Sequence, residues 1–478
     1  MAVAAALTLT LTACSGNQSS ETEMSADASS SAANAQATET FFTTDRVHEI
    51  DVELDDDDYQ EMLSTYATSG DKEWLSVTVT IDGTIYRDAG LRLKGNKSLR
   101  TALASQRGIE LSDSDLEGES DSDSDNANAA DPATIPWLIR LDKFVDDQQH
   151  LGRTDFVVRG DDTESSLNEA VAVAMLEEAG LPAHRVGFTS FSISGGDPVL
   201  RLVSEVPDDE LWNQEWFGSE GSTWKADSDG DWDYHGEDGA DYEDIWKQRT
   251  GEDDMTPVVK FMDFINNSSD QAFAEELPEK LDVEEFATYL ATEKLLGNTD
   301  TISGPGNNGY LHYEPSTGQM IVVPWDHDMV FGGMGMGGPG GGAGPGDRGD
   351  DTGMGGPGGG RPSGGMGGME PPEGMELPED MADFDPGQMG APGGGGFGGS
   401  NVLEERFLEV TKFNELYQER YQALREELIE SGFATQVLNQ YAELLVDQAA
   451  DLISAETVES ERASIESYLE SDSARPQA

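Results

Sequence analysis

The sequence predicts an α+β fold, with hairpin strands in its first half and long helices towards its end. Apolar and polar residues alternate over 74–81 and again over 84–93, and the Asp-Gly pair at 82–83 is typical of a two-residue hairpin turn. Further along, apolar residues recur every three or four positions over 404–430 and 433–452. Strands therefore dominate the predicted N-terminal part and helices the C-terminal part.

The chain is strongly acidic. Its 478 residues include 28 Lys and Arg against 95 Asp and Glu, which gives a formal net charge of −67. Such a charge disfavours nucleic acid and anionic membrane surfaces as partners. A phosphate site would have to be built locally, from the few basic side chains, backbone amides and metal ions. The length suffices for one large two-lobed domain, or for two ordinary domains plus tails.

The N-terminus resembles a bacterial lipoprotein signal. Residues 2–12 are an apolar run rich in Ala and Leu, and small residues then lead to Cys14, the only cysteine. We expect 1–14 to be a signal-like segment with Cys14 as the lipidated residue, although no Lys or Arg precedes the run. The run is too short to span a bilayer. We therefore expect an extracytoplasmic protein that contacts the membrane only through its lipid anchor.

Composition divides the remaining chain into a folded domain, two insertions and two flexible ends. Residues 15–40 are rich in Ser, Ala, Thr and Glu and are predicted to be a disordered tether. The predicted domain covers 41–331, with an acidic insertion at about 111–131. Residues 332–400, mostly Gly, Met and Pro, cannot build a core and are predicted to be disordered. The predicted C-terminal helices cover 401–455, and an acidic tail that could extend them covers 456–478.

Two basic segments in the N-terminal half suit a phosphate site. The hairpin ends in KGNKS at 94–98, where Lys94 and backbone amides could lie over phosphates, and a plain surface turn is the alternative. Residues 137–144 are predicted to be a strand that carries Lys143. An ammonium group on a strand is what a nucleotide site uses to bind α- and β-phosphates. A surface ion pair is the alternative for Lys143, and the spacing does not decide between the two.

The middle of the chain is predicted to alternate between helix and strand. The predicted elements are a helix over 165–180, strands over 185–193 and 199–206, and helices over 242–267 and 283–296. Alternating aspartates at 227–233 resemble a Ca²⁺ loop, but Gly230 and Asp238 do not fit the spacing of an EF-hand. A solvated acidic loop is the preferred interpretation of that stretch.

The stretch 297–333 contains the residues best suited to chemistry. Short strands are predicted over 310–313 and 320–324, and polar residues lie before the first strand and after the second. These residues are Asp300, Asn307, Asn308, Asp326 and Asp328. Carboxylate and amide oxygens are hard donors that suit Mg²⁺ or Ca²⁺. Phosphoryl transfer uses such a set, with one Asp for the attacking hydroxyl and an Asn and a later Asp for metal.

Read with RLKGNKS at 92–98, IRLDKF at 139–144 and LNEAVAVAMLEEAGLPAHRV at 167–186, this stretch resembles the spore-coat CotH kinase family. The resemblance covers about 47–331 and, more weakly, 402–453. It implies a two-lobed, atypical protein-kinase-like fold with a mixed or antiparallel N-lobe sheet and a mainly helical C-lobe. It also implies ATP- and Mg²⁺-dependent phosphorylation of protein hydroxyls.

The resemblance assigns metal and acceptor roles to the stretch. Asp300 would orient the acceptor hydroxyl, Asn308 and Asp326 would ligate Mg²⁺, and Asp328 is a second candidate ligand. Asn308 is preferred to Asn307 because the Tyr-Leu pair that follows it keeps the family's short strand in register. Between Asp300 and Asn308 the chain has Gly-Pro-Gly at 304–306, a looser loop than the family's pattern. The sequence contains neither a His-Arg-Asp nor an Asp-Phe-Gly triplet, so the motifs of ordinary eukaryotic-type kinases are absent.

The resemblance also implies a nucleotide site. Lys143 would bind phosphate oxygens while Glu169 positions it, Lys94 would lie over the phosphates, and Glu205 would lie beside the adenine. The expected partners are ATP and a protein of the cell envelope, or the chain itself. Transfer to a small molecule or a glycan stays open.

The alternative is a non-catalytic surface lipoprotein that binds Ca²⁺ or an envelope partner. This reading has weight because no obvious source of ATP exists outside the cell. Ca²⁺ could use the same aspartates as Mg²⁺, since both are hard cations that prefer oxygen ligands.

Overall fold

The computed structural model describes residues 41–471 except 44, 96–98, 100–130, 161–162, 219, 228–229, 305–306 and 333–400. Cys14, the signal-like segment 1–14 and the tether 15–40 lie outside the described residues. So do the two insertions, apart from their edge residues. What the sequence predicts for these segments stays a prediction.

Seven strands of the described chain form a closed barrel in the order β1-β2-β3-β4-β5-β7-β6. They are β1 (His48–Glu53), β2 (Leu75–Ile81), β3 (Thr84–Leu93), β4 (Trp137–Arg140), β5 (Asp155–Val158), β6 (Val186–Ile193) and β7 (Val199–Ser204). Neighbours pair antiparallel except β1 and β6, whose parallel pairing closes the barrel. Alternate residues fill its interior, so that Ile50 and Val52 are buried while Asp51 between them is only half-buried.

The predicted hairpin at 74–93 is confirmed. Asp82 and Gly83 both have a positive φ, 45° and 79°, which a tight turn between right-twisted strands requires. The register that follows pairs Ile81 with Thr84 and Thr80 with Ile85. The Asp82 carboxylate accepts a hydrogen bond from the backbone N of Glu49 at 3.0 Å, which ties the turn to β1.

A second sheet lies later in the chain and has the order β11-β10-β8-β9, with every pair antiparallel. Its strands are β8 (Ser222–Ala226), β9 (Trp246–Thr250), β10 (Tyr310–Glu314) and β11 (Gln319–Val323). The hairpin of β10 and β11 is as predicted. The helix predicted over 242–267 is wrong in its first part, because Trp246–Thr250 pairs with β8 as a strand. The helix begins only at Thr256, with a proline in its first turn.

Ten α-helices are present in the part of the chain that the structure describes. They are α1 (Asp56–Ser69), α2 (Leu167–Glu178), α3 (Glu210–Phe217), α4 (Thr256–Asn267), α5 (Asp270–Glu276), α6 (Val283–Leu296), α7 (Val402–Glu409), α8 (Thr411–Leu424), α9 (Phe433–Gln448) and α10 (Ala455–Glu470). A π-helical turn, Arg425–Glu430, continues α8. None of these helices combines the length and apolarity needed to cross a bilayer. The predicted mixture of helices and sheets is thus confirmed.

The last helix replaces most of the predicted acidic tail. Ser454 caps α10 by accepting a hydrogen bond from the backbone N of Thr457 at 3.0 Å. Val458, Ile465 and Leu469 are buried in the core, on one face of the helix. Charged residues occupy much of the rest of the helix, which is why its composition resembles that of an acidic tail.

We expect Ile465→Ala to lower the free energy of unfolding by about 2–5 kcal/mol, because it removes a buried side chain from a packed interface. Ser467→Ala changes an exposed residue of the same helix and should stay within about 0.5 kcal/mol of wild type. Chemical denaturation measures both. Equal stability of the two variants would show that α10 does not pack as described.

Candidate active site

Asp300 lies in the loop that follows α6. The helix ends at Gly297, whose φ of 64° lets the chain leave the helix sharply. Asn298 then accepts a hydrogen bond from the backbone N of Asp300 at 3.0 Å. On the other side, Asn308 Nδ2 donates to Asp300 Oδ2 at 3.0 Å. The structure thus brings the predicted acceptor-orienting Asp300 and the predicted metal ligand Asn308 into direct contact.

The two neighbouring asparagines have different roles. Asn307 is buried, its side-chain oxygen accepts a hydrogen bond from Trp232 Nε1 at 2.9 Å, and its Nδ2 donates to the carbonyl of Asp227 at 3.0 Å. Its amide is therefore committed to the packing of the loop. The Asn308 oxygen accepts no hydrogen bond from the described residues, so it is the amide oxygen that a cation could use. This geometry supports the preference for Asn308.

Asp326 follows β11 and has a backbone φ of 68°. A non-glycine residue in this left-handed region costs about 1 kcal/mol or more, so the surrounding contacts must hold it there. Its carboxylate Oδ1 forms an ion pair with Arg159, and its Oδ2 accepts no hydrogen bond from the described residues. Two residues later, the Asp328 carbonyl accepts a hydrogen bond from Asn168 Nδ2.

Buried Glu293 joins the two loops that carry these residues. Its Oε2 accepts from Asn298 Nδ2 and its Oε1 lies against His327 Nε2, both at 2.9 Å. One carboxylate of α6 therefore fixes the Asp300 loop and the Asp326 segment together. The pairing of Tyr310 with Val323 adds to this, because it places the start of β10 and the end of β11 at one edge of the second sheet.

Arg159 is the partner of Glu169. It directly follows β5, and its Nε donates to Glu169 Oε2 at 2.9 Å while its terminal nitrogen pairs with Asp326. Burial alone would raise the pKa of Glu169 and of Asp326, but the charge of Arg159, together with neighbouring groups such as His184 and Lys225, holds both pKa values below their usual range. All three groups therefore remain charged in a largely buried cluster.

The predicted pairing of Lys143 with Glu169 is wrong. Strand β4 ends at Arg140, whose guanidinium pairs with Asp155 on the next strand. Lys143 lies beyond that end in an exposed turn, with its Nζ 5.2 Å from the ring centre of Trp74. No ion pair joins it to Glu169 or Asp326 in the described chain. The predicted strand over 137–144 is too long, because the strand ends at Arg140 and Lys143 lies in the turn that follows.

Lys94 does lie at the site. Its Nζ is 5.7 Å from the ring centre of Trp325, the residue before Asp326, and the Nζ of Lys225 on β8 is 5.3 Å from the same ring. Burial and the neighbouring charge of Lys225 lower the pKa of Lys94 to about 7. Burial also lowers the pKa of Lys225, although Asp208 opposes that effect.

Asp208 holds this group of cations together. Tyr310 donates a hydrogen bond to its Oδ1 at 2.8 Å, and the Nε of Arg249 on β9 lies 3.5 Å from the same oxygen. Burial would raise the pKa of Asp208, yet the charges of Lys94, Arg249 and Lys225 lower it to about 2. One buried carboxylate thus faces several basic side chains in a very acidic chain.

Glu205 has a structural role. Its Oε1 accepts from Arg153 Nε at 2.6 Å and from the terminal nitrogen of Arg185 at 2.9 Å. Its Oε2 accepts from the backbone N of Arg185 at 2.8 Å. With both oxygens engaged, the side chain of Glu205 fixes the connection between β7 and α3 and has no oxygen to offer the predicted nucleotide.

The oxygen donors of the site are of the chemical type that suits a magnesium ion to which a nucleotide also binds. Among the described residues, no group of three or more His, Cys, Asp or Glu could hold a metal by itself. Mg²⁺ in phosphoryl-transfer sites takes one or two protein oxygens and completes its shell with phosphates and water. The Oδ2 of Asp326 and the Oδ1 of Asn308 are two such oxygens, each without a hydrogen bond from the described chain.

The C-terminal helices start beside the Asp300 loop. Asn401, the first described residue after 333–400, is buried, and its Nδ2 donates to the carbonyl of Ile302 at 3.1 Å. Its Oδ1 accepts from the backbone N of Leu403 at 2.9 Å and so caps α7. At the other end of that gap, the backbone N of Phe331 donates to the carbonyl of Leu296 at 2.8 Å.

The family model for CotH kinase protein matches residues 134–469, well over half of the chain. The chain belongs to the CotH kinase family. The predicted family is therefore confirmed, and the match extends through most of α10. It does not include β1 to β3 or Lys94, so the CotH assignment of this site rests on the residues from β4 onward. No curated protein matches the chain.

Several residues at the CotH site were not found from sequence. They are Arg159, Asp208, Lys225, Arg249 and Glu293. A signal existed for the first of them, since Arg159 directly follows the short apolar run at 156–158 and lies between that run and the helix that carries Glu169. The other four lie on two strands, on a helix and in a turn, and their importance appears only when distant segments meet.

We expect Arg159→Met to lower the free energy of unfolding by about 3–5 kcal/mol at neutral pH, because it leaves buried Glu169 without its cation. Without the arginine the pKa of Glu169 should rise, so the loss should shrink as the pH falls and the carboxyl becomes neutral. Denaturant unfolding at pH 7.5 and pH 5 measures the effect.

The matched control is Arg420→Met, which breaks the exposed pair with Glu284 and should cost less than about 1 kcal/mol. Adding Glu169→Gln to Arg159→Met should restore part of the lost stability. Equal losses in the two arginine variants would contradict a buried Arg159 ion pair.

Proposed function

We propose that this chain is an active, two-lobed atypical protein kinase that transfers the γ-phosphoryl group of ATP to a protein hydroxyl. The observation that carries the proposal is the meeting of three cations, those of Lys94, Lys225 and Arg159, around the ring of Trp325, the residue before Asp326. In a chain with a net charge of −67, such a cluster of cations has a specific cause, and a bound polyphosphate is a direct one.

In this proposal Lys94, Lys225 and Arg249 bind phosphate oxygens. Their ammonium and guanidinium groups already lie close together because Asp208 offsets their repulsion. The partial burial of Lys94 strengthens its attraction to an anion, since water screens the charges less there. The barrel would supply Lys94 and the second sheet the other two, so that the nucleotide binds between them.

Asp326 and Asn308 would hold Mg²⁺ through the oxygens that accept no hydrogen bond from the described residues. The bound ion supplies charge neutralisation at the β- and γ-phosphates. Arg159 keeps Asp326 ionised and fixes its direction, which readies the second oxygen for a cation. Asp328 is a further candidate ligand, because its backbone carbonyl is already anchored to Asn168.

Asp300 would accept a hydrogen bond from the acceptor hydroxyl and orient it for attack. The hydrogen bond from Asn308 connects it to the proposed metal ligands. The acceptor we propose is a Ser or Thr hydroxyl of an envelope protein or of the chain itself. We further propose an extracytoplasmic location, with the domain anchored through lipidated Cys14.

We expect the full chain with Mg²⁺ and γ-labelled ATP to label itself or an envelope-protein fraction. Asp326→Asn should lower the labelling rate by about 10²–10³-fold, because the proposed magnesium ion loses its carboxylate. Asp263→Asn makes the same chemical change on an exposed face of α4 and should leave the rate unaltered.

Equal labelling by wild type and Asp326→Asn would contradict this assignment of Asp326. A wild-type chain that gains thermal stability with Ca²⁺ but never transfers phosphate would support the non-catalytic alternative.

We expect ATP affinity to weaken above pH 7, by up to about tenfold per pH unit, because Lys94 has a pKa of about 7 and the triphosphate binds its charged form. Lys94→Arg keeps a positive charge throughout this range, so its affinity should change less with pH. Calorimetric titrations at constant ionic strength from pH 6.5 to 8.5 test this. The same slope in both proteins would exclude Lys94 as the titrating group.

A further inference from the structure

We infer that α10 is a positioning element of the site, and that Glu461 and Tyr468 on this helix hold the three segments that carry Glu169, Asp300 and Asp328. Its effect on turnover rests on the proposed function, but the contacts themselves do not. Neither Glu461 nor Tyr468 has a role in the phosphate, metal or acceptor sites described above.

Glu461 anchors the start of α2. It is a buried carboxylate, with an exposed fraction of 7%, and its Oε1 accepts from the backbone N of Glu164 at 3.0 Å. Its Oε2 accepts from the backbone N of Ser165 at 3.0 Å and from the Ser165 hydroxyl. No basic side chain pairs with it in the described chain. These three donors are therefore what compensates the burial of its charge.

The anchor lies just before the first turn of α2. Ser166, the residue before α2, has a φ of 54° and makes no capping hydrogen bond with its side chain. The start of a helix carries a partial positive charge, which a nearby carboxylate stabilises. Glu461 supplies that negative charge from another helix, far away in sequence. The position of α2 thus depends on α10.

The residues fixed this way lead directly into the site. Asn168 is three residues after Ser165, and it donates to the Asp328 carbonyl and accepts from the hydroxyl of Thr163 at 3.0 Å. Glu169 follows and binds Arg159 at 2.9 Å. A shift of the start of α2 would therefore move Arg159, and with it Asp326.

Tyr468 lies seven residues after Glu461, two turns further along the helix. Its ring packs against that of Phe331, with centroids 5.5 Å apart. Its hydroxyl lies so close above Gly297 that a side chain there would collide with it. Phe331 comes three residues after Asp328, and Gly297 comes three residues before Asp300. Tyr468 therefore contacts the two other segments that carry the site.

A variant of α10 would lose stability even if the helix had only a structural role. The test must therefore measure kcat and the KM for ATP separately. The proposed phosphate-binding residues lie on the barrel and the second sheet, on segments that α10 does not hold. Loss of Glu461 should therefore slow the chemical step and leave ATP binding nearly unaltered. Small displacements of reacting groups are costly, at about 10²-fold for 1 Å.

The test compares Glu461→Gln with wild type and with Glu470→Gln, which makes the same change at an exposed position of the same helix. For Glu461→Gln we expect kcat to fall at least about tenfold while KM for ATP stays within about threefold. Hydrogen exchange without nucleotide should rise locally at 163–168. Glu470→Gln should match wild type in all three measurements. Unaltered kcat and exchange in Glu461→Gln would overturn the inference.

Tyr468→Phe provides a second variant that keeps the aromatic ring in the core. It removes only the hydroxyl above Gly297, so we expect faster exchange at 297–300, and no change at 163–168. If the wild-type chain transfers no phosphate at all, the proposed function fails, and the exchange data alone decide the inference. Local increases at the two named segments would support it, and their absence would refute it.

Discussion

The buried ion pairs of Arg159 are the interaction on which the rest of this structure depends. The guanidinium joins Glu169 on α2 to Asp326 beyond β11, and it directly follows a barrel strand. Barrel, helix and second sheet therefore meet at one side chain. Such a cluster is weak evidence for stability, since desolvation offsets much of the attraction. Its main effect is to orient the two carboxylates, because each is stabilised only when it points towards the guanidinium.

Much of the fold could be read from local signals. The Asp-Gly turn at 82–83 and the cap residues Asp282 and Gly297 act on their immediate neighbours, so the β2–β3 hairpin and α6 lie where the sequence predicts them. Elements that depend on distant partners were missed. Trp246–Thr250 is a strand because it pairs with β8, and its sequence shows too few alternations to indicate one.

The site shows the same division. Asp300, Asn308, Asp326 and Lys94 were identified from a motif or a turn, and the structure brings Asp300 and Asn308 into contact. The partner of Glu169 was misassigned to Lys143, since a pairing between strand and helix depends on where the strand ends. The sequence does not indicate the roles of Glu293 and Asp208, because a buried carboxylate that contacts distant segments has no sequence pattern of its own.

The contacts at either side of the gap 333–400 have a consequence for how this family can vary. Phe331 is tied to Leu296 and Asn401 to Ile302, so both flanks are clamped to a single short stretch of backbone. Chain of almost any length or composition could be spliced between such flanks at little thermodynamic cost, since loop closure entropy grows only slowly with length. The fold thus has an insertion point beside the Asp300 loop, where evolution or protein engineering could add a sequence without disturbing the flanking contacts.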